Sequence, residues 1–541
     1  QHLRRFVGTG VWQDRTLANW ARDRAEADPD AVVYLGEADS PTFASLYSDG
    51  EALARALLDL GLRPGEVISF QTPNWVEAAV INLAAALGGF VINPIVHFYR
   101  DSEVRHMLAD SGSRVFFVAE RFRSIDYAAM VDRIAPELPD LRHVVFIRPQ
   151  SRHHSWGPDI TSLIDHGRKL THALGGSDPD AVKLLLYTSG TTGLPKAVLH
   201  SHNTLSRVLD FTYRHIGIPG RDVVLMPSPV THITGYAGAL EKPFQLDVRV
   251  VLMDQWNAAK AVELIDRYGV TSTVAATPFL TELCEAAQSA GARLPSLRSF
   301  ACGGASVPPE LIRGANAALA HPCAARVYGS SEVPQTTQGY KAGTHPELAA
   351  ASDGHALDYE LRIVDEHEQD LPPGSEGEVL VRGPAMFMGY GDPEQTASAL
   401  TADGYFRTGD LGQIDASGAL LITGRKKDLI IRGGENISAR EIEEVLQSHA
   451  GVLEAAVVAM PHPRLGEGIC AFVIVEAPQD APYDVLPDAL IAHVIQAGLA
   501  RQKSPERFVF VSDLPRTASG KVRKDLLRDE ARRLVLAEVS D

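Results

Sequence analysis

A run of sixteen residues, YTSGTTGLPKAVLHSH at positions 187–202, combines hydroxyl side chains, glycines and one lysine. Gly190 and Gly193 allow the backbone to approach a ligand closely, and the neighbouring hydroxyls add donors to the exposed amides. Lys196 supplies a mobile cation. The run therefore predicts a loop that wraps a polyphosphate. Its other predicted contacts are Thr188, Ser189, Thr191 and Thr192.

The spacing differs from that of a Walker loop, which ends in GK[ST] where a helix begins, because Pro195 stands directly before the lysine. Ordinary nucleoside-triphosphatase chemistry is therefore disfavoured. Leu184, Leu185 and Leu186 form an apolar segment upstream, which predicts a buried strand that delivers the loop from a rigid edge. The alternative is a polar turn between two strands, and the length of the pattern argues against it.

Composition indicates a large globular protein without a nucleic-acid partner. The chain has 541 residues, 45% hydrophobic and 22% charged, enough for at least two lobes. Its 51 basic and 68 acidic residues give a formal charge of −17, which repels nucleic acid and anionic membranes. Local cations must therefore offset this charge at a site for anionic substrates, and residues 501–533 are rich in Lys and Arg.

The chain carries no sequence signal for export or membrane insertion. Four cysteines without a CxxC pair argue against disulfide and zinc frameworks. No apolar core of the signal-peptide type follows Arg4 and Arg5. Polar residues, glycines and a proline interrupt the most apolar window, residues 78–96, so that it predicts a buried helix and a strand instead of a membrane span. We therefore expect a cytoplasmic location.

Helical and strand-like patterns alternate, which predicts an α/β fold. Helices are predicted at 15–27, 45–60 and 439–448, and strands at 67–70, 115–118, 144–147, 248–253, 270–274, 361–364, 378–381, 455–460 and 469–475. The Gly-rich turn before residues 178–180 predicts a subdomain boundary there. The pattern restarts after Gly424, which places a domain boundary at Lys427 and gives domains 1–426 and 427–541.

Four more motifs follow in order: YGSSE at 328–332, YFRTGD at 405–410, GRKKDLIIRGGENIS at 424–438 and LPRTASGKVRK at 514–524. With the run at 187–202 and a GGA turn at 303–305, they resemble the adenylate-forming superfamily. That superfamily contains acyl-CoA synthetases, peptide-synthetase adenylation domains and beetle luciferases. The resemblance covers roughly residues 15–530 and is strongest to a bacterial acyl-CoA ligase. It implies a large N-terminal domain of α/β subdomains plus a β-rich lobe, and a small mobile α+β C-terminal domain.

The resemblance implies two half-reactions. A carboxylate attacks the α-phosphorus of ATP to give an acyl-adenylate and pyrophosphate, and the thiol of coenzyme A then displaces AMP. Both steps move negative charge and need cations, oriented amides and Mg²⁺. Glu332 is expected to bind Mg²⁺, with Thr188 as a hydroxyl contact. Lys521 is the expected catalytic lysine between the carboxylate and the α-phosphate, and His232 is expected to gate the site beside the acyl carboxylate.

The same resemblance predicts the nucleotide contacts. Asp410 is expected to accept hydrogen bonds from the ribose hydroxyls, and Arg425 to reach the ribose or phosphate. The adenine ring would lie between Tyr328 and the GGA turn. The remaining expected ATP contacts are Gly303, Gly304, Ala305, Gly329, Ser330 and Ser331, together with Ser189, Gly190, Thr191, Thr192, Gly193 and Lys196 of the loop.

The small domain is expected to serve both half-reactions. After adenylation it would rotate about a hinge at Lys427 and withdraw Lys521. Gly433 and Gly434 would then line the tunnel for the pantetheine arm of coenzyme A, where absent side chains leave room.

The acyl pocket is expected to contain Tyr236, Ala237, Ala276 and Phe279. This lining is apolar and offers no acidic partner for an amino-acid ammonium group, which favours a plain carboxylic acid, bulky or cyclic, over an α-amino acid. The chain departs from the family pattern at Ala197, commonly glycine, and at Thr231, often aromatic.

We therefore expect an ATP-dependent carboxylic acid:CoA ligase with ATP, CoA and a small-molecule acid as partners and Mg²⁺ as cofactor. Within the family, the alternatives are thioesterification of a preformed acyl-adenylate alone and loading of a carrier-protein thiol. A luciferase-like oxygenase or a non-catalytic nucleotide-binding regulator would be a different class, and Lys521, Glu332 and Asp410 argue against the regulator. A homodimer is compatible with the sequence, which leaves the acid unidentified.

Overall fold

The computed structural model describes residues 2–36, 40–150, 157–188, 195–216, 222–305, 307–432, 435–475, 486–517 and 520–540. The α-helices are α1 (Leu17–Ala27), α2 (Phe43–Asp59), α3 (Glu77–Gly88), α4 (Asp101–Asp110), α5 (Tyr127–Ile134), α6 (Ile160–Gly167), α7 (His202–Ile216), α8 (Ile233–Gly235), α9 (Lys242–Leu246), α10 (Ala258–Tyr268), α11 (Thr277–Ser289), α12 (Pro309–Ala318), α13 (Pro346–Ala351), α14 (Pro393–Ala399), α15 (Ala439–Gln447), α16 (Leu486–Gln496) and α17 (Lys524–Ser540). A π-helical turn, Tyr236–Glu241, joins α8 to α9. Within these ranges, no helix combines the length and apolarity that crossing a membrane requires.

In the described ranges, the strands form four larger sheets and two pairs of short strands. They are β1 (Tyr34–Leu35), β2 (Val67–Gln71), β3 (Val91–Pro94), β4 (Val115–Ala119), β5 (Arg121–Phe122), β6 (Ile125–Asp126), β7 (His143–Ile147), β8 (Val182–Thr188), β9 (Lys196–Ser201), β10 (Val223–Met226), β11 (Arg249–Leu252), β12 (Ser272–Ala275), β13 (Ser299–Cys302), β14 (Ala324–Arg326), β15 (Thr337–Gln338), β16 (His355–Ala356), β17 (Glu360–Val364), β18 (Gly377–Arg382), β19 (Gly389–Tyr390), β20 (Phe406–Ile414), β21 (Leu420–Arg425), β22 (Leu429–Arg432), β23 (Glu435–Ser438), β24 (Val452–His462), β25 (Gly466–Val475) and β26 (Arg507–Phe510). Each predicted helix and strand corresponds to an observed one in the same order along the chain, with its ends shifted by a few residues.

The first sheet has the strand order β19-β9-β8-β3-β2-β4-β7. The predicted buried strand before the loop at 187–202 is confirmed as β8, which ends at Thr188 and pairs antiparallel with β9. The predicted subdomain boundary at 178–180 is wrong, because β8 pairs with β3 through Leu184 and Ile92 and extends the same sheet. Both of these side chains are fully buried, so the apolar β8–β9 hairpin covers an edge that would otherwise be exposed.

The second sheet is wholly parallel, with the order β1-β11-β10-β12-β13-β14. Ala275, Cys302 and Arg326 are neighbours at the carboxyl ends of β12, β13 and β14. Ala276, the GGA turn and the YGSSE motif directly follow these strands in the sequence. The carboxyl edge of a parallel sheet is where α/β proteins bind ligands, so the pairing register brings three predicted motifs to one place.

A buried ion pair joins this second sheet to the β-rich lobe, whose sheet has the order β17-β18-β20-β21. Arg326 on β14 donates from Nε to Asp353 Oδ1 at 3.0 Å and from Nη2 to Oδ2 at 2.8 Å. Asp353 Oδ2 also accepts from the backbone N–H of Ile422 on β21 at 2.8 Å. One carboxylate therefore holds both sheets in a fixed relation.

The last sheet has the order β23-β22-β25-β24, with β26 paired to β25, and it packs against α15, α16 and α17. The predicted division at 426/427 falls in a short 3-10 helix, Lys426–Asp428, which connects β21 to β22. Across this connection, Ser438 Oγ donates to the carbonyl of Thr423 at 3.0 Å. The small C-terminal lobe therefore follows the β-rich lobe after only three residues.

Replacement of Arg326 by Met should destabilise the large lobe by about 3–5 kcal/mol, because Asp353 would remain buried without its cation. Urea unfolding followed by circular dichroism measures this as a lower midpoint. Arg313→Met, which removes an exposed cation near Glu347, is the matched control and should shift the midpoint little. Equal midpoints for the two variants would contradict the structural role of the buried pair.

Candidate active site

Asp410 lies on β20 opposite Arg425 on β21. Tyr328 donates its hydroxyl to Asp410 Oδ2 at 2.6 Å, and Arg425 Nε lies 3.1 Å from Oδ1. Burial and the Asp410 charge raise the pKa of Tyr328 well above its ordinary value, so its hydroxyl stays protonated and donates. The structure therefore brings these three predicted nucleotide contacts together around one buried carboxylate.

Glu332 is held at both carboxylate oxygens. Ser330 Oγ donates to Oε2 at 2.8 Å, and the hydroxyl of Tyr390 donates to Oε1 at 2.9 Å. The backbone carbonyl of Glu332 accepts from the N–H of Phe387 at 2.7 Å. Sequence reasoning found Glu332 and Ser330 but missed Tyr390, because its partner lies 58 residues away in the chain.

Lys521 stands in a tight turn of the C-terminal lobe that faces the large lobe. The N–H of Thr517 donates to the Lys521 carbonyl at 2.7 Å, and Gly520 takes the left-handed φ of 81° that closes the turn. A Cβ at Gly520 would lie 3.5 Å from Pro278 Cγ, in the first turn of α11. The turn therefore contacts the segment that contains the predicted acyl residue Ala276.

Lys521 belongs to the small lobe, but charged side chains of the large lobe shift its pKa. Burial and the charge of Arg425 lower the pKa of Lys521 whereas Asp410 and Glu332 act to raise it, and the net result is a pKa of about 8. These three side chains belong to the large lobe, so they act on the ammonium group from across the domain boundary. The predicted catalytic lysine and the predicted nucleotide and metal residues thus share one site.

His232 precedes α8, and the N–H of Tyr236 donates to its carbonyl at 2.7 Å. Burial, the Lys521 charge and His97 lower the pKa of His232 to about 4. The imidazole is therefore neutral near pH 7 and can accept or donate one hydrogen bond. Sequence reasoning missed His97, whose Nδ1 is buried and has no hydrogen-bond partner within the described part of the chain. Burial also lowers the pKa of His97 to about 4.

The predicted acyl residues have different surroundings. Tyr236 is fully buried and donates its hydroxyl to Asn82 Oδ1 at 2.6 Å, so its side chain lies in the core and does not face an open pocket. The π-helical turn that begins at Tyr236 directs the ring inward, where the phenol needs a polar partner. Ala237 is nearly buried, whereas Ala276 and Phe279 are half-buried. The ring of Phe279 packs edge-on against that of Trp256 at 4.9 Å.

The structure describes the residues at both ends of the predicted phosphate loop. Thr188 and Lys196 are paired across β8 and β9. The Lys196 Nζ lies 5.6 Å from the centroid of the Tyr390 ring. The predicted loop contacts Ser189, Gly190, Thr191, Thr192 and Gly193, and the predicted tunnel residues Gly433 and Gly434, lie outside the described residues.

Three predicted backbone contacts are glycines for steric reasons. A Cβ at Gly303 would lie 2.4 Å from the carbonyl oxygen of Val327, and Gly304 has a positive φ of 82°. Gly329 is equally confined, since its Cβ would lie 2.6 Å from the backbone nitrogen of Gln335. Ala305 and Ser331 follow in these turns, and the Ser331 carbonyl lies 2.7 Å from His200 Nε2. The turns thus present backbone close to the Asp410 cluster.

Lys427, the predicted hinge, is exposed, and its backbone carbonyl accepts from Arg528 Nη1 on α17 at 3.1 Å. Among the described residues, no three carboxylate, histidine or cysteine side chains converge as a metal site.

Comparison with known proteins shows the family to which the chain belongs. Residues 21–391 match the profile of the AMP-binding enzymes, and residues 441–521 match the AMP-binding enzyme C-terminal domain. The chain belongs to the AMP-binding enzyme family. This confirms the predicted adenylate-forming superfamily, the α/β fold class with a large N-terminal and a small C-terminal domain, and the class of AMP-forming acid–thiol ligases.

Three similar AMP-binding enzymes illustrate the match. The medium-chain fatty-acid–CoA ligase of Escherichia coli is 34% identical over 98% of this chain and 93% of its own. The salicyl-AMP ligase / salicyl-S-ArCP synthetase of Mycobacterium tuberculosis is 31% identical over 96% and 91%. The crystal structure of ATP-bound MatB from Rhodopseudomonas palustris superposes with a TM-score of 0.83 at 28% identity, covering 96% of this chain and 100% of that one.

The amine of Lys521 should react with an amine-specific reagent with a pH midpoint of about 8, well below its ordinary pKa of 10.5. Pulse labelling followed by peptide mass spectrometry measures this midpoint. Asp410→Asn should lower it, because an anion that raises the pKa is lost, and Arg425→Gln should raise it. A midpoint near 10.5 in the native protein would contradict the interdomain arrangement.

Proposed function

We propose that this AMP-binding enzyme is an ATP-dependent carboxylic acid:CoA ligase that carries out both half-reactions. The observation that supports the proposal is the position of Lys521, which the small lobe holds beside Asp410, Glu332 and the acyl segment at Pro278. An ammonium group there would lie between the proposed nucleotide contacts and the acid. It can neutralise both reactants of an adenylation.

In the first half-reaction, a carboxylate oxygen of the acid forms a bond to the α-phosphorus of ATP. The bond between that phosphorus and the bridging oxygen to the β-phosphate breaks, and pyrophosphate leaves with the electron pair. Lys521 would lower the repulsion between the two anions and follow the charge into the transition state. Asp410 would hold the ribose hydroxyls, which fixes the α-phosphorus in line with the incoming oxygen.

The donor chemistry of the site fits Mg²⁺. Glu332 offers one carboxylate held in place by two hydroxyls, and magnesium commonly binds one or two carboxylates with the remaining positions left to phosphate and water. Glu332 would hold the ion, with Thr188 as a further oxygen contact. When bound, Mg²⁺ supplies positive charge at the phosphate oxygens.

In the second half-reaction, the thiolate of coenzyme A forms a bond to the acyl carbon, and AMP leaves with the electrons of the C–O bond. Lys427 would act as the hinge, and Gly433 and Gly434 would line the tunnel for coenzyme A after Lys521 is withdrawn. His232, which is neutral near pH 7, would gate the site beside the acyl carboxylate. The domains 1–426 and 427–541 would be the two moving bodies.

We propose an apolar monocarboxylic acid as substrate. Ala237, Ala276 and Phe279 offer no ionic partner for a second charge, and the small side chains leave room for a bulky or cyclic group. The relatives act on both linear and ring acids by their names, and one names a carrier-protein thiol as acceptor. Loading of a carrier protein is therefore the second candidate. A cytoplasmic location and a homodimer remain predictions.

Lys521→Ala should lower acid-dependent pyrophosphate exchange by about 100-fold or more. It should retain thioester formation from synthetic acyl-adenylate. The reason is that only the first half-reaction opposes two anions beside the lysine. Lys503→Ala, which removes a small-lobe cation paired with Glu441, is the control and should keep both activities. Equal loss of both half-reactions in Lys521→Ala would contradict this division.

A panel of linear, aromatic and polycyclic acids, incubated with ATP, Mg²⁺ and CoA, should yield acyl-CoA from apolar monocarboxylates and none from α-amino acids. The products are identified by mass. Parallel reactions with a phosphopantetheinylated carrier protein separate the second candidate. Acyl-adenylate that is never transferred to CoA, but is transferred to the carrier protein, would exclude the CoA ligase.

A further inference from the structure

Tyr390 lies at the junction of the two motifs that the proposed function assigns to the triphosphate. It stands on β19, a two-residue strand that pairs antiparallel with β9 opposite Val198. Its backbone N–H also donates to Thr396 Oγ1 on α14 at 2.8 Å. The strand pairing and this bond fix the position of the side chain. The next residue continues the pairing through a bond from Gly391 N–H to the Ala197 carbonyl at 2.8 Å.

The two parts of the Tyr390 side chain make different contacts. The hydroxyl donates to Glu332 Oε1 at 2.9 Å, while the ring face lies 5.6 Å from the Lys196 ammonium. Phe387 supports both Tyr390 and Glu332. Its ring packs against the Tyr390 ring with the centroids 5.0 Å apart, and its N–H donates to the Glu332 carbonyl. One tyrosine therefore contacts an anion and a cation that come from separate motifs.

We propose that Tyr390 is a positioning residue that orients the Glu332 carboxylate for the metal ion and holds the Lys196 ammonium at the entrance to the phosphate loop. The inference rests on the proposed function. Without the phenol, Oε1 would lose its donor and Glu332 could rotate toward the nearby cations. Without the ring, Lys196 would lose the cation–π contact that keeps it near the triphosphate before binding.

The two contacts predict separable effects. Tyr390→Phe removes only the hydroxyl and keeps the ring with its Phe387 packing. Loss of a hydrogen bond to a metal ligand commonly weakens metal affinity by about 10- to 100-fold. Tyr390→Leu removes the ring as well, so it should also weaken the Mg²⁺-independent attraction between Lys196 and the phosphates.

The test is calorimetric binding of a non-hydrolysable ATP analogue to the full chain, with Mg²⁺ below the concentration that saturates wild type and with EDTA. Tyr390→Phe should bind at least about 10-fold more weakly than wild type with Mg²⁺ and within about 2-fold of it in EDTA. Tyr390→Leu should bind more weakly in both. Ser330→Ala, which frees the other oxygen of Glu332, should share the Mg²⁺-specific loss.

Tyr405→Phe is the matched control. Its hydroxyl also donates to a carboxylate, Glu360 Oε2 at 3.1 Å, and its ring also receives cations, but these partners lie on β17 and β18 and not at the site. This variant should bind like wild type. Unchanged Mg²⁺-dependent binding in a folded Tyr390→Phe variant, or an equal loss with Mg²⁺ and in EDTA, would overturn the inference.

Activity measurements separate this inference from the proposed function. Tyr390→Phe should need about 10-fold more Mg²⁺ for half-maximal pyrophosphate exchange and should convert synthetic acyl-adenylate normally. Excess Mg²⁺ should rescue the variant. If wild type shows no acid-dependent exchange, the proposed function fails first. If wild type exchanges and the variant has the same Mg²⁺ requirement, only the role of Tyr390 fails.

Discussion

The site depends on the attraction between one ammonium group and two carboxylates that belong to different lobes. Lys521 is carried by the C-terminal lobe, whereas Asp410 and Glu332 are fixed in the large lobe. Burial and Arg425 act against the charged form of the lysine, and the two carboxylates favour it. Opposing contributions of this kind would suit the rotation of the small lobe proposed above, in which the same site forms and is released.

The rest of the structure can be understood as support for those carboxylates. The carboxyl ends of β12, β13 and β14 place three turns at one edge, and the buried Arg326–Asp353 pair sets the β-rich lobe against them. Asp410 and Glu332 are each held at both oxygens by neighbouring side chains. Rigid placement matters because electrostatic stabilisation requires charges that do not reorganise during the reaction.

The sequence predicted the α/β fold and much of the site because these features have local signals. Apolar runs predicted β2, β4, β7 and β8, and the YGSSE and YFRTGD motifs contain Glu332 and Asp410. Tyr390 and His97 were not predicted, since their roles arise only from contacts with residues far away in the chain. The pattern also could not show that β8 joins the first sheet, because strand pairing is a long-range choice, nor that Tyr236 turns into the core.

The π-helical turn at Tyr236–Glu241 has a consequence for how the acyl end of such a protein changes during evolution. Its carboxyl end is anchored, because buried Glu241 accepts from Asn82 Nδ2 at 2.7 Å and pairs with Lys183. Each helical residue turns the chain by about 100°, so loss of a single codon within the turn would rotate the preceding segment, including Ile233, by about that angle. One small deletion could thus change which side chains face the proposed acyl site while the proposed phosphate contacts stay in place.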